Sequence, residues 1–224
     1  MDIAETLLKI NQELSGSNCQ LVAVSKTKSS ESIMEAYNVG QRIFGENKVQ
    51  ELTKKYETLP KDIKWHMIGH LQSNKVKYIA PFVNLIHAVD SEKLLATINK
   101  EAKKNERVID CLLQIHIAKE ESKFGMNEIE IHSLLSKESF ANYKNIKIVG
   151  LMGMATNTTD ENKIASEFSG IKVLLEKLKS ECQSENINLK ELSIGMSGDY
   201  KIALKEGSTM IRIGSTIFGA RNYP

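Results

Sequence analysis

Apolar residues recur along this chain in two alternating patterns. The first segment spaces Ile3, Leu7, Ile10 and Leu14 three and four apart, which is one face of a helix. From there short apolar runs, each compact enough for a strand, alternate with longer amphipathic stretches. The runs are LVAVS (21–25), RIFG (42–45), WHMIG (65–69), LIHAV (85–89), DCLLQIHI (110–117), IKIVGLMGM (146–154), LSIGMS (192–197) and MIRIG (210–214), eight in all. Between them Leu94, Leu95, Ile98 and Ala102 share one helical face, and Ile164, Phe168, Ile171, Leu175 and Leu178 share another. Thr158 and Glu161 are spaced as a capping box for that second helix. Gly40 and Gly207 stand where helix C-caps are expected.

A strand-then-helix rhythm repeated eight times in 224 residues predicts a (β/α)8 barrel, an α/β fold of TIM type, preceded by one extra helix. A doubly wound open sheet is the structural rival, and periodicity alone does not separate the two. The Gly-x-Gly-x-x-Gly fingerprint and the Walker-type loop of nucleotide-binding sheets are both missing. With three prolines and no low-complexity stretch there is no linker, so residues 1–224 read as one domain.

Composition narrows the partners. Thirty basic and 28 acidic residues are spread along the chain without a basic block, which speaks against nucleic acid or an anionic membrane. Cys19, Cys111 and Cys182 are too scattered for a disulfide framework or a metal site, and fit a reducing, cytoplasmic setting. The N-terminus has early acids and no long apolar core, unlike a secretory signal. No stretch is apolar for long enough to span a membrane.

Against that ordinary background Lys26 stands out. It follows the first strand, on the same side by parity as Val22 and Val24, at the carboxyl end where barrels place their active sites. Desolvation there would lower the amine's pKa and expose the lone pair that Schiff-base chemistry needs. Arg212 lies inside the last strand between Ile211 and Ile213, so its guanidinium needs either an acidic partner or a ligand atom. Gly214 and Ser215 follow directly, ahead of a short helical turn, the arrangement that holds phosphate late in barrels. Ser197 and Gly198 end the seventh run in a similar turn, although helix capping alone explains a serine there. Glu46 and Asn47 end the second run, where either orients a ligand or caps the next helix. The histidines show no metal-ligand spacing, and the charged loop 118–126 reads as solvated.

AVSKTK, FGEN, WHMIGHLQSNK, ESKFG, GLMGM, LSIGMS and STMIRIGSTIFGAR, in that order over nearly the whole chain, resemble the pyridoxal phosphate homeostasis proteins, the YggS/PROSC family. The resemblance implies the barrel of fold-type III pyridoxal phosphate proteins, like the N-terminal domain of alanine racemase. It implies that Lys26 forms the internal aldimine with pyridoxal 5'-phosphate and that Arg212 faces the pyridine nitrogen. Ser197, Gly214 and Ser215 match the phosphate-binding positions, with Met196 beside them, and Asn47 matches an asparagine near the ring. Lys75 and Lys123 match further family lysines without an assigned role.

An always-protonated arginine opposite the ring nitrogen leaves the ring a poor electron sink. Fold-type III enzymes add a β-rich C-terminal domain that closes the site, for which this chain is expected to have no room. The expectation is therefore a monomeric, non-catalytic carrier that holds the cofactor reversibly and buffers it or delivers it to apo-enzymes. Two other readings remain open: a racemase or lyase of fold type III, and a phosphosugar enzyme using Lys26 for aldol chemistry.

Overall fold

The structure, a computed structural model, describes residues 2–116 and 124–219. The eight runs form a closed barrel of strands β1 Gln20–Val24, β2 Ile43–Glu46, β3 Lys64–Met67, β4 Leu85–Val89, β5 Ile109–Gln114, β6 Ile146–Met152, β7 Ile187–Met196 and β8 Met210–Ile213. All neighbours are parallel, and β8 closes against β1 with Leu21 beside Ile211 and Val22 beside Arg212. The open sheet is excluded by that closure.

Parallel neighbours need crossovers, and helices supply them. After α1 Ile3–Leu14 come α2 Ser30–Asn38, α3 Val49–Thr58, α4 Val76–Ile79, α5 Glu92–Lys104, α6 Glu128–Ser136, α7 Glu161–Glu181, α8 Tyr200–Lys205 and α9 Ser215–Phe218. The faces read from the sequence are the buried ones on α1, α5 and α7. Gly40 and Gly207 follow the C-caps of α2 and α8 with φ of 98° and 87°, the left-handed region that favours glycine.

Two expectations need correction. The cap of α7 is Asp160, whose carboxylate accepts the amides of Asn162 and Lys163, whereas Thr158 Oγ1 accepts the Asp160 amide. A carboxylate at the cap also suits the helix dipole, so it outcompetes a hydroxyl two residues earlier. The substitution matters little to where α7 sits. Its six buried apolar residues stabilise by about 1.5–3 kcal/mol each, against about 1 kcal/mol for a cap. Strand β7 also begins five residues before the apolar run does. There Leu189 is buried between exposed Asn188 and Lys190, a half-solvated alternation that a search for continuous apolar runs passes over.

The main core lies between strands and helices, with Phe44, Trp65, Phe140 and Phe168 fully buried. A separate cluster of Leu85, Ala88, Leu112, Val149, Met152 and Met210 fills the barrel interior, as side-chain layers do in this architecture. The three cysteines are free. Among the described residues no helix is long and apolar enough to cross a membrane.

Candidate functional site

A cleft of about 270 Å³ opens at the carboxyl ends of the strands. Lys26 and Lys28 follow β1 into it, Asn47 follows β2, Ile68 follows β3, Met154 follows β6, and Ser197 and Gly198 follow β7. Arg212, Gly214 and Ser215 enter from β8. Lys26, Asn47, Met196, Ser197, Arg212, Gly214 and Ser215, the residues matched to the cofactor from the sequence, all line this one cleft. The parity argument for Lys26 also agrees with the geometry, since Val24 lines the cleft beside it.

Close backbone approach shapes the walls. A Cβ on Gly69 would lie 2.5 Å from the Asn47 carbonyl oxygen, so only glycine lets the end of β3 pack against Asn47. Gly214 is similarly tight, with a Cβ there only 3.1 Å from the Val24 carbonyl oxygen. The two glycine- and serine-bearing turns are joined, because the Gly214 amide donates to Ser197 Oγ at 3.3 Å. Asp199 Oδ1 accepts the Met196 amide at 2.6 Å and fixes the turn after β7. In α9 the first helical bonds run from Ile217 and Phe218 to the Gly214 carbonyl, leaving the amides of Ser215 and Thr216 for other acceptors. Lys28 Nζ donates to the carbonyls of Phe218 and Gly219, 2.7 and 3.1 Å away, and ties the turn after β1 to the end of α9.

Arg212 forms the buried floor. Its Nη1 donates to Ser193 Oγ at 2.6 Å and to the Ser193 carbonyl at 2.7 Å, and its Nη2 donates to the Gly153 carbonyl at 3.0 Å. Burial pushes its pKa down to about 10, with Asp199 acting the other way, so it remains a cation at neutral pH. A guanidinium only donates. Ser193 keeps its own proton to give, and His87 Nδ1 lies 2.9 Å away as an acceptor in one of its two tautomers. In that tautomer His87 carries its proton on Nε2 and donates to His66 Nδ1 at 3.0 Å. Both rings are buried, and burial drives both below the usual histidine range, His66 to about 3. The chain thus keeps its positive charge on Arg212 and its imidazoles neutral.

These donors fit pyridoxal phosphate. An amine, a fixed cation and a pair of hydroxyl-bearing turns converge on one hollow, matching an aldehyde, a ring nitrogen and a phosphate. The family described as alanine racemase, N-terminal domain, matches residues 2–222. A curated protein of Aquifex aeolicus called pyridoxal phosphate homeostasis protein is 40% identical over 210 residues, 93% of this chain and 90% of that one. Its Schizosaccharomyces pombe counterpart is 38% identical over 95% of this chain and 89% of its own. This chain belongs to the pyridoxal phosphate homeostasis protein family.

A solved family structure, PipY of Synechococcus elongatus PCC7942 with PLP bound, superposes with a TM-score of 0.88 at 33% identity, covering 97% of this chain and 100% of that one. Alanine racemase from Bartonella henselae shares the fold, with a TM-score of 0.73 at 14% identity over 98% of this chain and 58% of that one. Several residues in this family member behave differently from their sequence-based readings. Ser197 caps no helix, because Asp199 precedes α8 and Ser197 instead accepts from Gly214. Arg212 has no carboxylate at ion-pair distance among the described residues; carbonyls and Ser193 surround it. Sequence spacing weighs His66 and His87 only as metal ligands and does not single out Ser193, since only barrel register brings the three together. Glu46 does not face the cleft at all; it is buried against α3. Lys75 is half-buried in a 3-10 turn away from the cleft lining, and Lys123 lies outside the described residues, as does most of the loop 118–126. No group of three potential metal ligands occurs among the described residues.

Proposed function

We propose that the protein binds pyridoxal 5'-phosphate reversibly in this cleft and serves intracellular homeostasis of that cofactor, buffering it or delivering it to apo-enzymes. The observation that carries this reading is the convergence of Lys26, Arg212 and the turns at Ser197 and Gly214 on a single hollow. The names of the relatives and the bound ligand of PipY support it. When bound, the cofactor supplies an aldehyde that condenses with a primary amine and releases water. Lys26 Nζ provides that amine from a half-buried position. Ser197, Ser215 and the amides beginning α9 accommodate the phosphate. Met196 stands beside those phosphate positions, and Asn47 lies near the ring.

Arg212 weakens carbanion chemistry at this site without forbidding it, since racemases of this fold type share the feature. Held cationic and hydrogen-bonded from behind, it presents only donors to a ring nitrogen and gives that nitrogen no acidic partner. Carbanions are then poorly stabilised. Borohydride reduction of the loaded protein followed by peptide mass mapping tests the site, and a pyridoxyl group on the Lys26 peptide is expected. A steady-state panel of amino acids tests the role. Turnover well above that of free cofactor, abolished by Lys26→Ala, would refute the carrier and favour the racemase or lyase.

A further inference from the structure

Behind the sheet, on the side away from the cleft, lies a charged cluster that the proposed chemistry does not use. Glu46 ends β2 with its side chain wholly buried. Its Oε1 accepts from Ser25 Oγ at 2.6 Å and from Lys55 Nζ at 2.8 Å. Lys55, on α3, also donates to the Ser25 carbonyl at 2.8 Å and to Glu51 Oε1 at 2.6 Å. That same Glu51 oxygen accepts the Thr27 amide at 2.6 Å. Ser25 and Thr27 are the two neighbours of Lys26, and the cluster grips both.

Thr27 adds a second sign. Its φ is 63°, in the left-handed region, which costs a β-branched residue about 1–3 kcal/mol. Such a conformation persists only where the surroundings hold it, and the bond from a carboxylate to its amide is a strong one. The groups facing Glu46 are Ser25 after β1 and Glu51 and Lys55 from α3, and its register neighbour on β3 is apolar Met67. Glu46 Oε2 is buried without a partner among the described residues.

We propose that Glu46, Lys55 and Glu51 are positioning residues that hold the turn carrying Lys26, and that the charge on Glu46 sets how well the amine is presented. The inference rests on the reading of Lys26 as the residue that captures the aldehyde. Burial, partly offset by Lys55 and Ser25, raises the Glu46 carboxyl to about 7. Its protonation therefore falls within the working range, and a proton on the unpartnered Oε2 removes the charge that strengthens the Oε1 bonds to Lys55 and Ser25. Glutamine mimics the protonated form.

The test titrates the apoprotein with pyridoxal 5'-phosphate from pH 6 to 8.5, in wild type and Glu46→Gln, following visible absorbance. The two proteins should agree near pH 6, and the variant should bind roughly tenfold more weakly above pH 8, as a displaced reacting group does. A cofactor-free readout accompanies it: the Thr27 amide resonance should titrate near pH 7 in wild type and stay flat in the variant. A role in folding alone would lower Tm but move neither pH profile. Superimposed binding curves at every pH, with the pyridoxyl label on Lys26, would overturn this inference and leave the Lys26 reading standing. A label on another lysine overturns the Lys26 reading first, and this one with it. Should Glu46→Gln not fold, Glu51→Ala on the more exposed face of α3 replaces it. That variant should speed exchange of the Thr27 amide and weaken binding, and no change in either would again overturn the proposal.

Discussion

Replacing Ser193 by alanine cuts the buried relay behind Arg212 at its centre. The hydroxyl accepts from a cation and is hydrogen-bonded to His87 Nδ1, and both Ser193 and His87 are fully buried. A hydrogen bond to a charged group contributes about 1.5–3 kcal/mol, and an acceptor orphaned in the interior costs about 1–3 kcal/mol. Arg212 keeps the Ser193 and Gly153 carbonyls, so its own loss lies at the low end. The sum is about 3 kcal/mol, or roughly 6–12 °C in Tm for a chain of this length. Urea denaturation of the apoprotein at pH 7.5 measures it. Pairing the change with His87→Leu sharpens the test, because removing both ends of one hydrogen bond orphans fewer groups than the two single changes do together. The double variant should lose at least about 1 kcal/mol less than the two singles together. A Ser193→Ala cost below about 1 kcal/mol, or strictly additive costs, would show that the relay carries no energy.

Two further outcomes can be measured. In the unfolded chain His66 and His87 take up protons below about pH 6.5, while the folded protein resists, so each loses about 1.4 kcal/mol of stability per pH unit as pH falls. Glu46 works oppositely: with its folded pKa raised, its contribution is complete below pH 4.5 and fades as pH rises through about 7. Wild type should thus lose about 2 kcal/mol between pH 6.5 and 5, and Glu46→Gln about 3 kcal/mol, with equal slopes refuting the assignment. At Gly150 a Cβ would lie 1.8 Å from the Glu191 carbonyl oxygen, so Gly150→Ala should cost about 3 kcal/mol or more, whereas Gly170→Ala, in open space on α7, should stabilise by about 0.5–1 kcal/mol. Matching denaturation midpoints for the two would contradict the packing described.

The barrel was legible because buried parallel strands are apolar on both faces, so runs such as LIHAV coincide with β4 residue for residue. The place of Lys26 at the cleft was legible for a related reason: an amine just past such a run is conspicuous. Parity puts it on one side with Val22 and Val24 without saying which side faces the barrel axis. Ser197 was half legible, its turn recognised and its hydrogen-bond partner not, since Gly214 lies on another strand. The relay and the Glu46 cluster were invisible. His66, His87 and Ser193 meet across the barrel through register, which no local spacing encodes. Glu46 and Lys55 are nine residues apart across a strand–helix junction, outside the three- and four-residue spacings that reveal pairs on one helix.

The cleft straddles the seam where the last strand meets the first. Lys26 stands on one lip and Arg212, Gly214 and Ser215 on the other, with nearly the whole chain between them. No partially synthesised chain can own both lips, so the hollow comes into being only with the final strand pairing, the slowest kind of contact to make. A molecule spanning that join acts as a rivet, favouring the finished cylinder by mass action. Occupancy in a cell would then count completed barrels, and supply of the small molecule would help to complete them.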